Sequence, residues 1–86
     1  MEINKLIKIL EIKLKKSFEI NNLTIEDKSF LHKKHKNYIE NKFHIKLTIE
    51  SSELKKVSSV EANRKIYKLL RDELNQNIHS LQIRII

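Results

Sequence analysis

Glycine does not occur anywhere in the 86 residues of this chain, and that omission removes whole classes of architecture. A backbone that must turn through the left-handed region, or lie flush against a phosphate, relies on glycine because a Cβ makes those conformations costly. The phosphate-cradling loops of nucleotide-binding folds are therefore excluded, as is the Gly-x-x-Gly clamp that grips an RNA backbone. Cysteine is absent too. The chain has no disulfide, no thiolate nucleophile and no thiolate ligand, so any metal must lean on histidine, carboxylate or a partner.

What remains is enough for one domain over residues 1–86, because a second core would lack the apolar material to offset its ordering entropy. With 40% hydrophobic and 34% charged residues, the composition is globular. No run approaches the roughly 18 apolar residues of a membrane span, and Glu2, Glu11 and Glu19 among the early lysines are unlike a targeting peptide. The expected location is the cytoplasm. The net charge of +7 would draw nucleic acid or an acidic surface. However, 15 of the 18 basic residues are lysine, and isoleucine and asparagine are also abundant, which an AT-rich coding bias would produce without any binding role.

Along the chain, Ile3, Leu6, Ile7, Leu10 and Leu14 fall at helical spacing and predict an amphipathic helix over residues 2–17 with its stripe in the core. Lys5, Lys8, Lys13, Lys15 and Lys16 around it leave a membrane-surface helix as the alternative. After the turn signal Asn21-Asn22, Leu23 to Asp27 alternate as a short strand. From Phe43 the alternation is clearer, with Phe43, Ile45, Leu47 and Ile49 on one side and His44, Lys46, Thr48 and Glu50 on the other. Between the strands, residues 29–41 read as a basic loop. Ser58 with Glu61 is a capping box opening a second long helix, whose buried face is Ile66, Leu69, Leu70 and Leu74. It ends near Asn75-Gln76-Asn77. A third strand follows, with His79, Leu81, Ile83 and Ile85 in one phase.

This is an α/β (α+β) chain of order α-β-β-α-β. Strands two and three, joined through a helix, should run parallel by a right-handed crossover if they lie side by side, and strands one and two should pair antiparallel. That topology brings every histidine to one end of the sheet: His32 and His35 leaving strand one, His44 opening strand two, His79 opening strand three. Imidazole is a common ligand for iron, zinc and copper. The spacing matches neither a structural zinc site nor a metal hydrolase. Taken singly, His35 and His44 read as ordinary exposed residues. His79, in the apolar phase of its strand, reads either as a half-buried, hydrogen-bonded imidazole or as a ligand. No nucleophile elbow or acid pair organises the serines and histidines, so an enzyme is not expected.

These residues resemble the BolA family. Asp27-Lys28-Ser29-Phe30-Leu31-His32-Lys33-Lys34-His35 is similar to its segment in which Asp-x-Ser is followed three residues later by histidine. Ser51 and Leu54 are similar to its serine and following phenylalanine, Asn63-Arg64-Lys65-Ile66-Tyr67 to its His-Arg-x-x-Tyr, and Ile78-His79-Ser80-Leu81, after Asp72-Glu73-Leu74, to its Ile-His-Ala-Leu. The chain departs from the pattern in having no glycine in the loop, and asparagine at position 63. The resemblance implies a class II KH-like fold, a three-stranded mixed sheet with helices packed on one face. It also implies a heterodimer with a monothiol glutaredoxin, sharing a [2Fe-2S] cluster held by a glutaredoxin cysteine, glutathione and two ligands from this chain. Those ligands map onto His79 and His32, with His35 in reserve, and no cofactor is expected in the isolated protein. Roles in iron-sulfur trafficking, stress response or iron and redox regulation follow from the same resemblance. The alternative it carries is a DNA-binding transcriptional regulator, using Arg64, Lys65, Lys68 and Arg71 of the second helix with Lys33, Lys34 and Lys36 on phosphate. No membrane partner is expected, and a weak homodimer is allowed.

Overall fold

The computed structural model describes residues 1–29 and 42–86. Helix α1 (Ile3–Ser17) opens at Glu2, whose carboxylate accepts the Asn4 N–H, and keeps Leu6, Leu10 and Leu14 fully buried. Its apolar stripe faces the core, the first of the two readings of this helix. Each such leucine contributes about 1.5–3 kcal/mol by leaving water.

Strand β1 (Asn22–Asp27) pairs antiparallel with β2 (Phe43–Glu50), which pairs parallel with β3 (Ile78–Ile85), giving a three-stranded mixed sheet in the order β1-β2-β3. Ile45, Leu47 and Ile49 in the middle strand are buried against α1 and the later helices, with Leu23 and Ile25 beside them on one flank and Leu81, Ile83 and Ile85 on the other. The helices therefore cover one face. Thr24, Gln82 and Arg84 point out of the other face and are exposed.

The crossover is more broken than the periodicity predicts. A short helix α2 (Ser52–Lys55), unforeseen in the sequence, is capped by Ser51. The Ser51 hydroxyl, completely buried, accepts the Leu54 N–H at 3.2 Å and donates to the Glu19 carbonyl at 2.7 Å. The Glu53 carboxylate accepts the Glu19 N–H at 3.1 Å, so one residue after α1 is clasped through both its backbone groups.

The expected second long helix is two: α3 (Ser59–Leu69), capped as read by Ser58 on the Glu61 N–H, and α4 (Arg71–Gln76). They part at Leu70, whose φ of −98° and ψ of 18° leave the helical region while its side chain stays in the core. Ala62, Ile66 and Leu70 hold the buried face, whereas Leu69 and Leu74 are only partly buried. In α4, where Leu74 was expected to be buried, the buried place is taken by Glu73, 8% exposed, whose two carboxylate oxygens receive the Lys13 ammonium at 2.9 and 3.0 Å. A charge is tolerated at that depth because it is paired.

Candidate metal-binding edge of the sheet

The end of β1, the start of β2 and the start of β3 meet at one end of the sheet, as the topology requires. Asp27 closes β1 with an Asx turn, its carboxylate accepting the Ser29 N–H at 2.9 Å. The turn aims the buried Ser29 hydroxyl across the strands, where it accepts the His44 N–H at 3.0 Å, and the His44 carbonyl accepts the Lys28 N–H at 2.7 Å. These bonds prolong the β1–β2 ladder by one step beyond the strand.

On the other flank the ladder is irregular. Phe43 pairs with Ile78 but His44 pairs with Ser80, so one step on β2 spans two on β3, and His79 is the extra residue. It is a β-bulge, and a bulge re-aims the side chain it inserts. Ile78 and Leu81 are both buried while His79 and Ser80 between them are exposed. This corrects the sequence reading of His79 as a half-buried residue in the apolar phase: strict alternation from Leu81 places it in the core, and the bulge takes it out.

His44 is corrected in the opposite sense. It lies on the face away from the helices, in phase with Lys46 and Thr48, yet it is 6% exposed. Its Nδ1 is 2.6 Å from the Ser80 hydroxyl, and its ring meets that of His79 edge to face, with centroids 4.9 Å apart and planes at 74°. Two of the histidines are thus brought into contact. His32 and His35, with Lys33, Lys34 and Lys36, lie outside the described residues. Among the described residues no three histidine, aspartate or glutamate side chains gather as a metal-holding group.

Arg64, Lys65, Lys68 and Arg71 are all exposed, on α3 and at the start of α4, as their positions on the helix predict. Arg64 is engaged with Glu61 at 3.6 Å, a solvent-exposed pair of small energetic weight. Tyr67, between them, donates its hydroxyl to the Leu81 carbonyl at 3.0 Å and so ties α3 to β3.

Residues 14–86 match the family model described as BolA-like protein. The chain belongs to the BolA-like family. Among curated BolA relatives, it is 35% identical over 77 residues to the "DNA-binding transcriptional regulator BolA" of Haemophilus influenzae, covering 90% of this chain and 72% of that one. It is also 35% identical over 74 residues to "Protein BOLA1, chloroplastic" of Arabidopsis thaliana, covering 83% of this chain and 46% of that one, about half its length. Two solved BolA structures share the fold. The BolA domain of SufE1 and BolA1, both from Arabidopsis thaliana, each superpose with a TM-score of 0.77 over 91% of this chain and 86% of theirs, at 33% and 32% identity. The BolA fold expected from the resemblance, a mixed three-stranded sheet with its helices, is the fold observed. These relatives bear the names of a regulator and of BolA proteins, not of an enzyme. Among the described residues no helix is long and apolar enough to cross a membrane.

Proposed function

We propose that this BolA-like protein is an accessory protein that binds a monothiol glutaredoxin and, through His79, co-ligates a [2Fe-2S] cluster shared with glutaredoxin and glutathione, in cluster trafficking or in iron and redox regulation. The observation that carries this reading is the bulge that turns the His79 imidazole outward at the sheet end. An imidazole nitrogen presented to solvent at a strand end, in a chain without cysteine, suits a metal whose thiolates come from elsewhere. Such a nitrogen ligand raises the reduction potential of a cluster relative to thiolate alone. The second donor in this proposal is His32, with His35 in reserve. A cytoplasmic location belongs to the same proposal.

Mixing the protein with a monothiol glutaredoxin carrying its cluster and glutathione is expected to change the visible circular dichroism of the cluster. In His79→Ala that change should be lost. An unaltered spectrum with the unmodified protein, or a change that survives His79→Ala, overturns the reading.

A second reading is favoured by the name of the Haemophilus influenzae relative and by the exposed Arg64, Lys65, Lys68 and Arg71. A DNA-binding regulator would use these residues, with Lys33, Lys34 and Lys36, on the phosphate backbone. It predicts sequence-selective gel shifts that persist at physiological salt. Uniform binding that vanishes as salt rises would reveal only attraction by a chain of charge +7.

A further inference from the structure

An exposed imidazole on a bulge has two free side-chain torsions, and a metal ligand works best when its orientation is set beforehand by neighbouring groups. His79 has such a neighbour in His44. The two rings are 4.9 Å apart and nearly perpendicular, the edge-to-face geometry that aromatic rings favour. His44 is itself tied on both sides. Its backbone is bonded to Lys28 and to the Ser29 hydroxyl at the end of β1, and its ring Nδ1 stands 2.6 Å from the hydroxyl of Ser80, the residue next to His79. Only 6% of His44 is exposed, so its ring has little room to move.

We propose that His44 is a positioning residue: anchored by Ser80 and by the end of β1, its ring fixes the orientation in which His79 meets a metal. The inference rests on the cluster-binding reading for what His79 does, but its first test does not involve a cluster. In the free protein, the ring protons of His79 are expected to carry a ring-current shift from His44. In His44→Ala and in Ser80→Ala they should move toward the positions of an unrestrained histidine, while His44→Phe, which keeps a ring at that place, should recover most of the shift.

Ring signals of His79 that are unchanged in both alanine variants, with the amide spectrum still dispersed, overturn the proposal. Ser80→Ala, at an exposed position, keeps the test decisive should His44→Ala fail to fold. With cluster-loaded glutaredoxin, His44→Ala is expected to weaken formation of the shared complex about 10-fold or more, the usual effect of removing a group that orients a ligand. Unweakened formation would overturn the proposal too. Loss of the spectral change in the unmodified protein, with the ring-current result intact, would count against the cluster reading alone.

Discussion

At the scale of single residues, position in a regular pattern is a poor guide to what a polar side chain does. Ser51 and His44 both lie where a strand ends or begins, and both are buried and bonded to a segment distant in sequence. The Ser51 hydroxyl serves as helix cap and as the donor that holds Glu19, with no exposure to water. Ser51→Ala leaves the Glu19 carbonyl and the Leu54 N–H without that partner. Urea denaturation should show a loss of about 1–3 kcal/mol, the cost of orphaning buried polar groups. A loss within about 0.5 kcal/mol, the ordinary range for surface substitutions, would mean that water replaces the hydroxyl.

At the scale of elements, the bulge in β3 separates two tasks that one strand performs. From Leu81 onward the strand alternates, with Leu81, Ile83 and Ile85 opposite Ile45, Leu47 and Ile49. Before it, one additional residue is accommodated without disturbing Ile78, which stays in the core. Deleting His79 should therefore remove the bulge and leave the remaining register intact, so the shortened chain unfolds cooperatively on heating. Deleting Gln82 should not be tolerated in the same way, because it shifts Ile83 and Ile85 to the solvent face. Circular dichroism melts of the two deletions compare them directly, and equal damage from both would contradict the pairing described. The break at Leu70 is a second case in which an element serves two partners: α3 supplies Ala62 and Ile66 to the core, while α4 brings Glu73 to Lys13 of α1.

At the scale of the whole molecule, the family match begins at residue 14, within α1, whereas the core draws on Leu6 and Leu10 as well as Leu14. A chain restricted to residues 18–86 forfeits all three buried leucines. At about 1.5–3 kcal/mol each, this is comparable to the 5–15 kcal/mol by which a domain is stable. It is expected to give a poorly dispersed amide NMR spectrum and a non-cooperative melt; a sharp melt would show that the sheet and later helices suffice.

Fold class, strand order and the gathering of strand ends at one edge were all legible in the amino-acid sequence, because they follow from period and connectivity. The stripe of Leu6, Leu10 and Leu14 could only be a helix face. The alternation from Phe43 to Glu50 reads as a half-buried strand, and the helical segment after it implies a parallel return once the strands it joins are neighbours. Tertiary structure alone decided which way His79 faces, that His44 is buried beside it, and that Glu73 takes an apolar place in α4. Each depends on a register offset or a partner distant in sequence: Phe43 against Ile78, Ser80 against His44, Lys13 against Glu73. Periodicity describes one segment at a time, and a bulge or a buried ion pair is a property of two segments in contact.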